Sequence, residues 1–221
     1  MTKYILFDCD GVLVDSEIIA ANVLIRLLKP FGFEMSLKPF MQQFAGMKDN
    51  EILSHISEKH SIQLPAYFLH QLEGAIDDTL KEELQAIHGV QLALHTIQLP
   101  KAVVSNSPLE RVENSLRVAK ISHCFDERIF TADMAGKPKP HPDVYLYALK
   151  KLGLQPDETI VVEDSPTGVT AAHSAGLKVI GFTGASHIME GHADKLIACG
   201  ASLIVARMED LSQALHTLME N

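Results

Sequence analysis

The 221-residue sequence predicts an α/β fold in which a mostly parallel sheet is interrupted, just after its first strand, by an inserted helical domain. Three observations carry this expectation. Tyr4-Ile5-Leu6-Phe7 is a wholly apolar run that ends abruptly in Asp8, as a buried parallel strand does where it reaches the surface. Residues 17–86 carry helical periodicity and no strand-like run. Beyond residue 100, short apolar runs alternate with helix-length segments, the pattern of right-handed crossovers covering both faces of a sheet.

In chain order, Ala20, Val23, Leu24, Leu27, Leu28 and Phe31 form a helical stripe over residues 17–31, with Asp15 or Ser16 as its candidate cap. Ile52, Leu53, Ile56 and Ser57 suggest a second helix, and residues 67–84 another, with Pro65 near its start. Glu73, Asp77, Asp78, Glu82 and Glu83 read as a solvated face of that helix. A helix follows Gly89 as far as residue 97. Strands are then expected at 101–104, 128–131, 159–162, 177–182 and 202–205, with helices at 108–120, 142–152, 166–175 and 208–218. The predicted division is residues 1–15 and 87–221 for the sheet domain and 16–86 for the insertion.

A hydrophobic content of 47% and a charged content of 21% fit a globular enzyme. The formal charge of −9 argues against nonspecific binding to nucleic acid or anionic membrane, while a small anionic substrate depends only on local charge. Cys9, Cys124 and Cys199 are odd in number and show no C-x-x-C spacing, which disfavours a disulfide framework or zinc ribbon and suits the cytoplasm. The apolar run before Asp8 is too short for a signal peptide or membrane span. His55 and His60, like His187 and His192, are five residues apart rather than the three or four that share a helix face, and read as surface or core histidines.

Ligands of such sheets bind at the carboxyl ends of the strands. Asp8 and Asp10 point to one side if the strand geometry continues, and two carboxylates so close need a cation or a shared proton. Gly11 lets the backbone turn away and leaves the amides around Cys9 and Asp10 to face an anion. After the strand at 101–104, Ser107, Pro108 and Glu110 form a candidate capping box, which leaves the Ser105 hydroxyl and adjacent amides for a phosphate. The prolines between Gly136 and Tyr145 stiffen a segment whose lysine can neutralise phosphate charge. At Glu163-Asp164-Ser165-Pro166, Ser165 can cap the next helix, so the two acids are free to bind metal.

Asp8-Cys9-Asp10-Gly11-Val12-Leu13-Val14-Asp15-Ser16 resembles the first motif of the haloacid dehalogenase superfamily. Val103-Val104-Ser105-Asn106 resembles its second. Lys139-Pro140-His141-Pro142-Asp143-Val144-Tyr145 matches the third in register, whereas the Lys-Pro-x-Pro that begins at Lys137 lacks the following Asp. Glu163-Asp164, followed by Gly168, Ala171, Ala172, Ala175 and Gly176, matches the fourth. The resemblance covers nearly the whole chain and implies a Rossmann-like parallel-sheet core with an inserted helical cap domain. It also implies magnesium-dependent hydrolysis of a phosphate monoester, with Asp8 as nucleophile and Asp10 as acid and base. Ser105 is implied to bind the transferring phosphoryl group, Lys139 to spread its charge, and Asn106 to contact substrate. Asp8, the main-chain carbonyl of Asp10 and Asp164, with Glu163 bound directly or through water, would give an all-oxygen site suited to magnesium.

Within the superfamily, Gly46-Met47-Lys48 resembles the phosphosugar phosphatase branch. That implies a small phosphorylated metabolite as partner, a sugar phosphate or a phosphorylated sugar acid such as 6-phosphogluconate, with Gly46 and Lys48 contacting it. A mutase of the beta-phosphoglucomutase type carries a His five residues beyond the position of Asp15, where this chain has Ala20. A phosphonoacetaldehyde hydrolase has a small residue in place of Asp10. A signalling receiver domain would phosphorylate an Asp on a later strand and lack the insertion. A non-catalytic binding relative would have lost one of Asp8, Asp10, Lys139 or Asp164, and all four are present. The expected assembly is a monomer or weak homo-oligomer.

Overall fold

The computed structural model describes residues 2–44, 47–125 and 128–220. Strand β1 (Tyr4–Phe7) leads into helices α1 (Glu17–Leu28), α2 (Leu37–Phe44), α3 (Asp49–His60) and α4 (Phe68–Glu83). Then come α5 (Val90–Thr96), β2 (Lys101–Ser105), α6 (Leu109–Val118), β3 (Ile129–Thr131), α7 (Ala132–Ala135) and α8 (Asp143–Leu152). The chain closes with β4 (Thr159–Glu163), α9 (Pro166–Ser174), β5 (Lys178–Phe182), α10 (His192–Ala198), β6 (Leu203–Val205) and α11 (Leu211–Glu220).

The six strands form one parallel sheet in the order β3-β2-β1-β4-β5-β6, a Rossmann-like arrangement. Leu6 of β1 lies beside Ala102 of β2 on one side and Val161 of β4 on the other. Strand order reverses between β1 and β4, and loops leaving their carboxyl ends diverge there to open a crevice. Every residue of β1 and β4 is buried, as expected for strands covered on both faces. One face packs Leu6, Val104, Val161 and Val179 against Val144, Tyr145 and Ala148 of α8 and Val169, Ala171 and Ala172 of α9. On β1, Phe7 meets Phe125 edge to face, with ring centroids 6.2 Å apart.

Two compact units divide the chain, one made of Met1–Asp15 with Gln85–Asn221 and the other of Ser16–Leu84. The second is built from α1 to α4 around an aromatic core. Phe33 stacks edge-on against both Phe40 and His60, at 6.5 and 5.2 Å, and Phe44 against His55 at 5.5 Å. His55 and His60 are thus exposed residues whose rings lie against this aromatic core.

The structure departs from sequence expectation in three local ways. Helix α1 ends at Leu28 and tightens into a 3-10 turn over Lys29–Phe31, because Pro30 lacks the N–H that would continue the α-helix. Helix α2 has no counterpart among the helices expected from the sequence; its Pro39 falls in the first turn, where backbone N–H groups have no helical partner anyway. Neither Asp15 nor Ser16 caps α1 through its side chain. Asp15 Oδ1 instead accepts from the backbone N–H and the hydroxyl of Ser186, at 3.3 and 2.8 Å. No helix among the described residues is long and apolar enough to cross a membrane.

Candidate active site

The ladder between β1 and β4 runs one residue past β1: the Asp8 N–H donates to the Val162 carbonyl at 3.0 Å, which fixes the position of this carboxylate. The chain then turns tightly. The Cys9 carbonyl accepts from Val12, Leu13 and Val14, and Gly11 adopts a φ of +77°, which favours glycine.

Lys139 lies in the segment between α7 and α8 and is 3% exposed. Its ammonium donates to Asp8 Oδ1 at 2.8 Å, Glu163 Oε1 at 2.6 Å and the Val104 carbonyl at 2.8 Å, which uses all three of its protons. Asn106 holds the backbone of this lysine from both sides: its Oδ1 accepts from the Lys139 N–H at 2.8 Å, and its Nδ2 donates to the Lys139 carbonyl at 3.2 Å. Lys137 is exposed, so of the two Lys-Pro-x-Pro lysines only Lys139 enters the acidic cluster.

Glu163 is fully buried, and its two oxygens receive Lys139 Nζ, the Tyr145 hydroxyl, and the N–H and hydroxyl of Ser165. Ser165 in turn accepts from the Gly168 N–H at 3.0 Å and caps α9, so the serine expected as a helix cap also braces this acid. A Cβ on Gly168 would lie 1.7 Å from Glu163 Oε1, so only glycine leaves room for the carboxylate beneath the helix start.

Asp164 is held at two places by histidines that its sequence neighbourhood did not reveal. His187 Nε2 lies 3.2 Å from Asp164 Oδ2, and His192 Nε2 lies 2.6 Å from the Asp164 main-chain oxygen. His187 and Asp164 are both buried. The two imidazoles are five residues apart because one sits in the loop after β5 and the other opens α10, so the helical spacing rule had no purchase on them.

One carboxylate oxygen each from Asp8, Glu163 and Asp164 lies within 4.8 Å of the others, and all three residues are buried. Burial first, and then the Glu163 charge, push the Asp8 and Asp164 carboxyls well above the ordinary carboxylate range, with Lys139 opposing. Burial alone would lower the Lys139 pKa, but Asp8 and Glu163 outweigh it and hold the ammonium well above its usual value. Three buried acids thus face one buried cation, and this all-oxygen donor set fits a hard divalent ion. Cys9, beside them, has its thiol pushed up by burial and by the Asp10 and Asp8 charges, and so is no rival nucleophile.

Asp10 stands outside that cluster, half-buried, and its Oδ2 accepts from the Ser107 hydroxyl at 2.8 Å. The expected capping box therefore does not form. Pro108 itself occupies the cap position of α6, and Ser107 is free to turn to Asp10. The buried Ser105 hydroxyl accepts from the Ser107 N–H at 3.0 Å, so its own proton is available to a second acceptor. Lys48 is exposed at the N-cap of α3, in the helical unit, and Gly46 lies outside the described residues.

Comparison with known proteins agrees with this geometry. The family model described as haloacid dehalogenase-like hydrolase matches residues 5–182. The chain is 29% identical over 184 residues to the 6-phosphogluconate phosphatase of Escherichia coli (strain K12), covering 83% of each chain. It is 27% identical over 217 residues to a phosphorylated carbohydrates phosphatase of Thermotoga maritima, covering 94% of this chain and 96% of the relative. Among solved structures, a haloacid dehalogenase-like protein of unknown function from Agrobacterium tumefaciens superposes with a TM-score of 0.92 at 39% identity, covering 99% of this chain and 100% of that one. With its Rossmann-like sheet, the residues of its four motifs gathered around the end of β1 and these relatives, the chain belongs to the haloacid dehalogenase-like hydrolases.

Proposed function

We propose that the protein is a magnesium-dependent phosphatase that hydrolyses a small phosphate monoester, a sugar phosphate or phosphorylated sugar acid such as 6-phosphogluconate, through an aspartyl phosphate on Asp8. The observation that carries this reading is Asp8 itself: a buried carboxylate at the point where strand order reverses, with one oxygen held by Lys139 at 2.8 Å and the other left to attack. The named activities of the relatives support phosphate monoesters, and those of the Escherichia coli and Thermotoga maritima proteins support a sugar-derived substrate.

In the first step Asp8 Oδ2 forms a bond to phosphorus as the ester P–O bond breaks, and Asp10 gives its proton to the departing alcohol oxygen. In the second, Asp10 takes a proton from water as the water oxygen bonds to phosphorus, and the Asp8–phosphorus bond breaks to release phosphate. Ser105 donates to a phosphoryl oxygen, and Ser107 orients Asp10. Lys139 offsets the charge gathered around Asp8. Magnesium would be held by Asp8, Asp164 and the main-chain carbonyl of Asp10, and supplies charge neutralisation on the phosphoryl oxygens. Glu163 already receives four donors, as many as its lone pairs accept, so it serves as the counter-ion that holds Lys139 rather than as a direct ligand.

A screen of purified protein against phosphorylated metabolites, with magnesium and with excess chelator, tests the reading. Phosphate release from sugar phosphates or sugar acid phosphates should appear with magnesium and vanish in chelator, and calcium should inhibit through its looser coordination. Full turnover in chelator would overturn the metal assignment, and no release from any monoester would overturn the activity.

The helical unit, residues 16–84, acts in this reading as the cap that selects substrate, with Lys48 pairing to a distal carboxylate or hydroxyl of the sugar. Lys48→Ala should raise KM for the preferred substrate about tenfold, the scale of one lost charge-assisted hydrogen bond, and leave p-nitrophenyl phosphate hydrolysis unchanged. Equal effects on both substrates would remove Lys48 from substrate selection.

A further inference from the structure

The loop joining β5 to α10 is fastened to the site at three places. Ser186 donates twice to Asp15, His187 Nε2 reaches Asp164 Oδ2 at 3.2 Å, and His192 Nε2 reaches the Asp164 carbonyl at 2.6 Å. A carbonyl oxygen can only accept, so the His192 ring carries a proton on Nε2 and donates it, while His187 Nε2 lies within ion-pair distance of the Asp164 carboxyl. Room for the His187 contact exists only because residue 11 is glycine. A Cβ there would stand 1.9 Å from Asp164 Oδ2 and 2.9 Å from His187 Cε1. Three separate stretches of sequence are thus fitted around one carboxylate.

A carboxylate free to turn about χ1 and χ2 can swing, and swinging costs affinity for any ion that must find it in place. We infer that His187 and His192 are positioning residues that clamp Asp164, His187 by fixing one carboxylate oxygen so that the other is presented to the metal, and His192 by fixing the backbone from which the side chain projects. The inference rests on the reading that Asp164 holds magnesium, and it assigns a function to a loop that none of the four motifs includes. Asp15, the last acid of the first motif, is the point that ties this loop to the turn after β1.

The test is calorimetric titration of the intact protein with magnesium chloride alone. Gln at position 187 can place its Nε2 near where the imidazole Nε2 lies, whereas Asn is one methylene too short, and the two are alike in polarity. His187→Asn should weaken magnesium binding 10- to 100-fold, and His187→Gln should stay within about threefold of the parent protein. With His187→Asn, kcat measured at saturating magnesium should recover, because the ligand set is intact and only its readiness is lost. His192→Asn and His192→Gln, at a half-buried position, give the same comparison should the first pair fold poorly. Parent-like affinity in both Asn variants, or equal weakening in Asn and Gln variants, overturns the clamp. Asp164→Asn separates the two ideas: if it binds magnesium as the parent does, the metal reading falls and the clamp with it, whereas loss in Asp164→Asn beside parent-like His187→Asn and His192→Asn sinks the clamp alone.

Discussion

Replacing Asp8 by Asn is expected to lower turnover at least about 10⁴-fold and to abolish any trappable phosphoryl-enzyme, because the attacking oxygen becomes a neutral amide atom of the same size. The same substitution should leave the melting temperature in chelator unchanged or raise it by a few degrees. Asp8 is one of three acids crowded around Lys139, and its carboxyl is pushed up by burial and by Glu163, so its charge opposes folding whenever no metal is bound. Rapid-quench labelling measures the first outcome and a thermal melt the second. More than about 1% residual turnover, judged against the usual cost of losing a nucleophile, would move that role to another residue.

Lys139→Met should be the opposite kind of variant, damaging activity and stability together. Removing the ammonium leaves Asp8 and Glu163 buried without their counter-charge, a loss worth about 3–5 kcal/mol when a buried pair is broken from one side. In a chain of this length that corresponds to a melting temperature lower by roughly 10 °C, and the missing charge should cost about 10³-fold in kcat. Adding Glu163→Gln to Lys139→Met should restore much of the lost stability and none of the turnover. Additive destabilisation in the double variant would show that the two groups are not coupled.

Much of this is legible in the sequence. The apolar run of β1 meeting acids, and the alternation beyond residue 100, declared a parallel sheet because burial on both faces forbids polar positions within the strands. The register of the third motif singled out Lys139 over Lys137. Other features were illegible for physical reasons. The histidines on Asp164 come from a loop and a helix start, and no periodicity links such positions. Ser107 read as a helix cap because its spacing to Glu110 is right, yet Pro108 takes that place and the hydroxyl goes to a residue 97 positions away. Gly168 read as one of a set of small helix residues, while its reason is a carboxylate standing where its Cβ would be. Glu163 reads as a metal ligand, direct or through water, and the four donors gathered on its two oxygens become visible only in the fold.

The central place of β1 in the sheet has a further consequence, for how the molecule comes into being. Its four apolar residues are made before either of their partners, Lys101–Ser105 and Thr159–Glu163. At ribosomal speed β1 waits roughly ten to thirty seconds before β4 exists. During that interval the strand is an apolar segment without a sheet, while the helical insertion, rich in local contacts, is suited to fold early. Asp8 reaches its place only when the Val162 carbonyl is there to receive its N–H, Lys139 gains Glu163 at the end of the same strand, and the histidines on Asp164 follow within thirty positions of it. A nascent chain released before β4 therefore carries an exposed strand without chemistry, and the site assembles only once residues 159–192 have been made.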